Sequence, residues 1–417
     1  MQHFSSDFAS GPLRGLLGIL VILGLATALP TRLRCINFRI VASAFALQIT
    51  FAILVLWFPP GKRVIAALSQ AVNQLIGYSR PGIEMIFGPL AADKHITIFA
   101  IDVLPVIIFF SALMSMLYYL GIMQIFLAAF GRFLRFVVGT DPIESVYAAA
   151  CILVGQTEAP LVVRPYLSAL TGPQIFTMMV SGFASVAGSL LAAYMQMGIK
   201  IEYLLAANFM AAPGGLLMAK IIMPNDPTDP KKDDIFSTKT LGHAPHANIF
   251  MAAAVGARDG LVVAVNIGAI LIAFVSLIAL LNGIIGGIGG WFGLDSLTLQ
   301  KILGWIFSPL MLLVGTPWTE AQIAGGLFGE KLVLNEFVAY ISLSHLAVPL
   351  SAKSEAIVTF ALCGFANFSS IALVLGSLGV LIPERASEIA RYGLRAVAAG
   401  SLANLMSAAI AGLVLSL

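Results

Sequence analysis

Long apolar segments constrain this chain more than any other feature of its sequence. A helix of about 20 apolar residues is long enough to cross the hydrocarbon core of a bilayer. Only 10% of the residues are charged, whereas an ordinary soluble protein carries roughly 25%. The sequence therefore predicts an all-α polytopic membrane protein. Eight segments are predicted to span the membrane, at 13–30, 37–58, 97–122, 174–198, 202–222, 260–288, 354–381 and 394–416.

Two further regions consist of short apolar pieces on either side of a polar tip. The first, at 143–169, has its tip at 155–160, and the second, at 324–352, has its tip at 335–337. Non-helical backbone at membrane depth is tolerated only where protein or water meets it. Both regions are therefore predicted to be re-entrant helical hairpins. Two amphipathic segments are predicted to lie as helices at the membrane interface, at 64–77 and 122–136.

The distribution of Lys and Arg predicts the orientation of the chain. Loops rich in these residues stay on the cytoplasmic side. With eight spans, four basic clusters fall on one side, which predicts a multi-pass protein of the bacterial inner membrane with both termini periplasmic. The clusters are Arg32, Arg34 and Arg39; Arg132 and Arg135; Lys231, Lys232 and Lys239; and Arg385, Arg391 and Arg395.

Charge and cysteine content exclude several classes of function. The net charge is +3, and no basic run is interleaved with aromatic residues, so the sequence does not indicate a nucleic-acid-binding protein. The three cysteines are widely spaced and the five histidines are scattered. Neither a disulfide framework nor a zinc site is indicated.

The order of elements occurs twice along the chain. Residues 182–187 (GFASVA) and 364–370 (GFANFSS) each lie within a predicted span, and each follows a hairpin tip that carries a glutamate. The predicted topology makes the two series inverted repeats. Paired interrupted spans of this kind are typical of secondary transporters and indicate a binding site near the middle of the membrane.

The residues at these positions suit a neutral, hydroxyl-rich solute. Glu158 and Glu336 are ionisable residues at membrane depth, where charge is costly and its default interpretation is functional. Amides and hydroxyls beside them can donate to and accept from a hydrogen-bonding substrate. An alternative places the glutamates in headgroup water. The neighbouring polar residues are Gln156, Thr157, Asn367, Ser369 and Ser370.

Several motifs resemble the bacterial concentrative nucleoside transporter family, over nearly the whole chain. These motifs lie at 155–160 (GQTEAP), 202–215 (EYLLAANFMAAPGG), 283–293 (GIIGGIGGWFG), 335–340 (NEFVAY) and 360–367 (FALCGFAN). The resemblance implies a secondary active symporter that imports nucleosides of the uridine, cytidine and adenosine type. It also implies a homotrimer with a scaffold domain and a transport domain that moves like an elevator.

The resemblance assigns the substrate residues in two groups. The nucleobase is assigned to Gln156, Thr157, Glu158 and Leu190, with Gly155 at the hairpin tip. The ribose is assigned to Glu336, Asn367 and Ser370, and Phe365 lies against the nucleoside. No cofactor is implied beyond the co-transported ion.

The cation site implied by the resemblance has one unusual residue. The matching positions are Cys151, Val154, Ser185 and Val186, and sodium-coupled relatives have Asn where this chain has Cys151. Sodium is a hard cation that prefers oxygen, and a thiol is a poor substitute. We therefore expect weakened sodium binding and favour proton coupling, with Glu158 or Glu336 as carrier. A water ligand could still restore a Na⁺ site, so both ions stay open.

Two alternative functions are weighed against a transporter. An intramembrane enzyme could use paired carboxylates as acid and base, and a passive channel could use the interrupted helices.

The sequence also predicts a division of the chain into five domains. The predicted domains are N-terminal scaffold spans with interfacial helices, a first transport repeat, a cytoplasmic linker, a scaffold span with an interfacial helix, and a second transport repeat. They cover 1–136, 137–222, 223–246, 247–310 and 311–417.

Overall fold

The computed structural model describes residues 12–29, 35–92, 98–226, 247–291, 293 and 297–416. Within these ranges the structure is helical and contains no strand. By length and composition, seven helices could cross a membrane, and they include Pro142–Val162, which covers the first predicted hairpin. A bent pair, Leu299–Val314 with Trp318–Val333, makes an eighth crossing if it counts as one span. The all-α membrane fold is confirmed. Three predicted features lie outside the described residues: linker residues 227–246, Arg32 and Arg34.

Shorter helical segments at Ile53–Trp57, Pro89–Ala92 and Phe99–Asp102 accompany the five long helices of the N-terminal part of the fold. The five long helices are α1 (Pro12–Ala28), α2 (Phe38–Ala52), α3 (Pro59–Phe87), α4 (Leu104–Tyr119) and α5 (Ile122–Val138). The interfacial helix predicted at 64–77 is longer in the structure, because Pro59 starts α3 and the positive φ of Gly88 ends it. Proline suits the first position of a helix, and glycine tolerates a left-handed φ at its end.

The first hairpin is helix α6 (Pro142–Val162), followed by a 3₁₀ turn at Arg164–Ala169. Asp141 caps its start by accepting from the backbone N–H of Ile143 at 2.9 Å. The helix is broken at Gly155, whose φ of 76° and ψ of 179° are not helical. Only glycine adopts such a conformation readily. The predicted hairpin tip at this position is confirmed.

Two predicted spans are each divided into two helices. The first becomes α7 (Gly172–Ala184) and α8 (Gly188–Gln196), and continues into α9 (Ile201–Ile222). We call residues 185–187, between α7 and α8, the first break. The second divided span belongs to the second repeat, and residues 363–368 between its two helices are the second break. The second repeat comprises α12 (Trp318–Val333), α13 (Glu336–Ser344), α14 (Ala352–Leu362), α15 (Ser369–Leu381) and α16 (Ala386–Val414).

The second hairpin consists of α12 and α13. The two helices are separated at Leu334 and Asn335, as its predicted polar tip requires. Asn335 caps α13 by accepting from the backbone N–H of Val338 at 2.9 Å. The described parts of the chain therefore repeat the order hairpin, broken span, long span.

The span predicted at 260–288 is part of one 43-residue helix, α10 (Ile249–Trp291). It packs against α4 through Gly256 and Gly260. A Cβ atom on either glycine would lie within 2.7 Å of Ser115 or Ser111, so only glycine permits this approach. Most of α10 is exposed in the single chain, whereas α9 and α16 are almost fully buried. The core therefore consists of the two repeats, and α10 lies at its edge.

Helix α11 (Leu299–Val314) meets α12 at a bend of 117°. The division into scaffold and transport domains stays a prediction. Two of its boundaries, after residues 136 and 310, fall inside α5 and α11.

Candidate functional site

Glu336 lies at the centre of a buried polar cluster. It is the first residue of α13 and only 4% of its surface is exposed. The hydroxyl of Tyr194 donates to its Oε1 at 2.9 Å, and the Asn367 Nδ2 group donates to its Oε2 at 3.3 Å. Both carboxyl oxygens are thus held by side chains from other helices, which fixes the carboxyl group in one orientation.

The cluster continues from Asn367 to the first hairpin. The Oδ1 atom of Asn367 accepts from both the backbone N–H and the hydroxyl of Ser370, each at 2.9 Å. The Nε2 group of Gln156 donates to the Ser370 hydroxyl at 3.3 Å. A continuous chain of hydrogen bonds therefore joins the tips of both hairpins through the second break.

One acceptor in this cluster has no partner in the part of the chain that the structure describes. The Oε1 atom of Gln156 is buried and accepts no hydrogen bond from the described part of the chain. A buried polar atom without a partner is costly and calls for an explanation. A polar ligand that donates to this oxygen would satisfy it.

Phe365 lies against the tip of the first hairpin. A Cβ atom placed on Gly155 would lie 3.4 Å from the Phe365 ring and 2.8 Å from the Cβ of Ala187. Gly155 therefore brings the hairpin tip into contact with both breaks at once. This close approach and its positive φ both require glycine at the tip.

Glu158 lies in a different environment from Gln156. It lines a cavity of about 510 Å³ between α4, α6, α8 and α10, with Arg164, Tyr118 and Asp259 in the same wall. Thr157 is exposed beside it. Of the residues predicted to bind the nucleobase, Gln156 joins the buried cluster, whereas Glu158 faces this cavity. Leu190 is buried on α8, next to Ser189 of the cavity wall.

The four predicted cation residues lie around the first break. Cys151 is fully buried beside the side chains of Tyr147 and Ser185. The Ser185 hydroxyl donates to the carbonyl of Ser181 at 2.9 Å, which leaves its oxygen able to accept or to bind an ion. Val154 and Val186 are buried. The set offers one hydroxyl, backbone carbonyls and one soft thiol, which fits sodium only in part.

Asn208, which the sequence analysis did not select, holds the same region together. Its Oδ1 atom accepts from the backbone N–H of Val186 at 3.0 Å. Its Nδ2 group donates to the carbonyl of Ile152 at 2.7 Å. The first break is therefore tied to the first hairpin through a side chain of α9.

Three further buried polar residues, Lys331, Asn404 and Tyr194, were not selected in the sequence analysis. Lys331 is fully buried in α12, and a lysine within an apolar hairpin arm is the same signal that identified Glu336. Asn404 is a lone amide in an apolar span, which is a weaker signal. Nothing in the local sequence distinguishes Tyr194 from a packing residue.

The sequence matches three family models that together cover most of the chain. Residues 17–90 match the N-terminus and residues 203–412 the C-terminus of the Na⁺ dependent nucleoside transporter. Residues 100–200 match a gate domain described as nucleoside recognition.

Individual relatives agree with these matches along nearly their whole length. An uncharacterized transporter of Haemophilus influenzae is 49% identical over 415 residues, which cover 97% of this chain and 98% of that protein. Nucleoside permease NupC of Helicobacter pylori is 44% identical over 425 residues, covering 99% of each.

A solved structure has the same fold. The structure of CNTnw in an inward-facing substrate-bound state is similar with a TM-score of 0.91 at 49% identity, covering 96% of this chain and 97% of that one. The alternative that the chain is an intramembrane enzyme is excluded, because the family that it matches consists of transporters. The chain therefore belongs to the family of Na⁺-dependent nucleoside transporters, the concentrative nucleoside transporters that its motifs resemble.

Proposed function

We propose that this protein is a symporter that imports nucleosides of the uridine, cytidine and adenosine type, with protons favoured over Na⁺ as the coupling ion. The observation that carries the proposal is the buried chain of hydrogen bonds from Glu336 through Asn367 and Ser370 to Gln156. It supplies carboxyl, amide and hydroxyl groups where both hairpins meet, and it ends in an acceptor with no partner among the described residues.

The arrangement supports the substrate positions that the family resemblance implies. Glu336, Asn367 and Ser370 bind the ribose hydroxyls, because their oxygens and amide group can accept and donate in pairs. Gln156 binds the polar edge of the base through its unpartnered oxygen. Phe365 packs against the nucleoside with its apolar face. Gly155, Thr157, Glu158 and Leu190 complete the base side of the site.

The proposed cation lies at the first break, among Cys151, Val154, Ser185 and Val186. The Cys151 thiol is a poor sodium ligand, which supports coupling to a proton carried by Glu158 or Glu336. Glu158 faces the cavity and is the carboxyl group of the two with more direct access to water.

The proposed assembly and placement rest on the family resemblance and the charge bias. We place the protein in a bacterial inner membrane as a homotrimer of independent elevator-type transporters, with both termini periplasmic. Much of α10 is exposed in the single chain, which leaves it free to contact lipid or a second copy.

Uptake into proteoliposomes tests the proposal. Labelled uridine should accumulate above the external concentration under a proton gradient, and less under a Na⁺ gradient alone. Accumulation distinguishes a symporter from a passive channel, which only equilibrates its solute. Glu336→Gln should abolish uptake while the protein stays folded by size-exclusion chromatography. Uptake by this variant at the normal rate and affinity would refute the site, and no nucleoside uptake under either gradient would refute the substrate.

A further inference from the structure

A buried lysine and a buried asparagine connect the two breaks. Lys331 is fully buried, and its ammonium group donates to Asn404 Oδ1 at 2.8 Å and to the Ala361 carbonyl at 3.3 Å. No carboxylate of the described chain lies within ion-pair distance of it. Because the ammonium can only donate, it fixes the Asn404 oxygen toward itself and turns the Asn404 amide hydrogens away.

These amide hydrogens point at the ends of two different helices. The Nδ2 group of Asn404 donates to the carbonyl of Ala184 at 2.7 Å and to the carbonyl of Cys363 at 2.8 Å. Ala184 is the last residue of α7, and Cys363 directly follows α14. The last carbonyls of a helix have no partner within the helix. One side chain thus satisfies one carbonyl at each of the two breaks.

Each carbonyl adjoins a different part of the proposed site. Ser185 and Val186, which we assign to the cation, directly follow Ala184. Gly364 and Phe365, next to the nucleoside, directly follow Cys363. A Cβ atom on Gly364 would collide with the Asn404 side chain, so glycine is needed for this close contact. Movement at either break therefore displaces the same amide group.

We propose that Lys331 and Asn404 form a positioning pair that couples cation binding at the first break to nucleoside binding at the second. The inference rests on the proposed function, since it assumes that the cation and the nucleoside bind at these breaks. Neither residue is among the proposed substrate positions. When two sites are coupled, each ligand changes the affinity for the other by the same factor, typically about 5- to 150-fold.

The test measures how strongly the cation changes nucleoside affinity. The KM for uridine is determined in proteoliposomes at low and at saturating concentration of whichever cation drives uptake, Na⁺ or H⁺. The ratio of the two KM values should be about tenfold in the unmodified protein. Asn404→Asp keeps the acceptor for Lys331 but replaces the amide donor, and Asn404→Ala removes both. Either variant should reduce the ratio to about twofold or less, with uptake retained at high uridine concentration.

Ser407→Ala is the matched control. Ser407 lies on the same helix, three residues from Asn404, and accepts a buried hydrogen bond from Gln48 at 2.8 Å. Its loss removes a comparable interaction from α16 without touching either break, so the KM ratio should not change. Lys331→Arg, which keeps the charge, should preserve more of the ratio than Lys331→Met. An unchanged ratio in a folded Asn404 variant would overturn the proposal.

Hydrogen exchange on the unmodified protein provides a second test that needs no variant. Uridine alone should slow exchange at residues 185–187. The cation alone should slow exchange at residues 363–368, after the rates are corrected for the intrinsic pH dependence of amide exchange. Protection of only the break nearest each ligand would overturn the coupling role.

The Ser407→Ala variant distinguishes failure of the coupling proposal from failure of the proposed function. If neither the unmodified protein nor Ser407→Ala takes up uridine, the proposed function is contradicted, and the coupling is not tested separately from it.

Discussion

The backbone N–H of Phe365 donates to the carbonyl of Ser185 at 3.2 Å. Phe365 belongs to the second break and Ser185 to the first, so two segments about 180 residues apart in sequence are joined by main-chain atoms. Helix breaks leave carbonyl and N–H groups without intrahelical partners. Here one N–H of the second break and one carbonyl of the first break satisfy each other directly.

Tyr194 should control nucleoside affinity through Glu336. Tyr194→Phe removes the hydroxyl that donates to Glu336 Oε1, and a hydrogen bond to a charged group contributes roughly 1.5–3 kcal/mol. We expect the KM for uridine to rise by about tenfold or more, measured by uptake in proteoliposomes. Tyr340→Phe is the control, because that hydroxyl donates to the Thr359 carbonyl instead. Equal effects of both variants would contradict an orienting role for Tyr194.

Cys151 should determine how well the first break binds sodium. Cys151→Asn adds an amide oxygen to a site that otherwise presents a thiol, and an oxygen ligand that contributes about 1.4 kcal/mol lowers the half-saturating Na⁺ concentration about tenfold. The half-saturating Na⁺ concentration is obtained by measuring uridine uptake as a function of Na⁺ concentration. Cys151→Ala, which removes the thiol without adding oxygen, should show no such gain. Strong Na⁺ dependence already present before substitution would contradict the expectation of a weakened site.

Gly155 should be irreplaceable at the first hairpin tip. Gly155→Ala forces a side chain into a positive φ, which costs about 1–3 kcal/mol, and places its Cβ 2.8 Å from that of Ala187. We expect uridine uptake to fall at least about tenfold. Gly77→Ala is the matched control, since no atom of the described residues lies within 4 Å of a Cβ placed there. Normal uptake by Gly155→Ala would show that the tip tolerates rearrangement.

The buried ion pair between Glu144 and Lys220 should stabilise the fold as a unit. Both side chains are almost fully buried, and Lys220 also donates to Asn225 at 2.8 Å. Glu144→Ala should destabilise the protein by about 3–5 kcal/mol, because it leaves a buried charge without its counter-charge. Denaturant titration in detergent measures this loss.

Replacement of both partners distinguishes the cost of an orphaned charge from the contribution of the pair. Glu144→Leu combined with Lys220→Met removes both charges and retains apolar volume, so most of the lost stability should return. A double variant no more stable than Glu144→Ala would show that the pair itself contributes the stability.

The bridge between Lys200 and Glu355 should stabilise the fold weakly and over a defined pH range. Lys200 lies in the loop before α9, and its ammonium donates to Glu355 Oε2 at 2.8 Å. This hydrogen bond raises the pKa of Lys200 above its ordinary value of 10.5. A raised folded-state pKa means that the contribution is complete below 10.5 and is lost as the pH rises through the folded pKa.

Glu355→Gln tests this pH dependence. Since Lys200 is about half exposed, the variant should lose at most about 1 kcal/mol. The difference in melting temperature from the unmodified protein should be constant between about pH 6 and pH 9 and should shrink only at more alkaline pH. A difference that already disappears near neutral pH would contradict this assignment. Arg80→Gln, which breaks an exposed pair with Glu84, is the control for a general surface-charge effect.

The sequence by itself determined the membrane fold, both hairpins and the position of both breaks. These features depend on local properties: an apolar segment of sufficient length must span or be buried, and ionisable or glycine-rich segments within it must meet protein or water. Glu336, Asn367 and Ser370 were identified in this way. The residues that build the buried cluster were therefore predicted largely without tertiary information, although their role in binding stays a proposal.

Only the tertiary structure decided which of these residues meet. Gln156 and Glu158 are two positions apart in the helical segment after Gly155, so helix geometry turns them to opposite faces. Packing then decides that the face of Gln156 meets the buried cluster and the face of Glu158 meets a cavity. Tyr194, Asn208 and Asn404 act on groups that lie 22 to 220 residues away in sequence. Such contacts depend on helix packing, which a local pattern of residues does not specify.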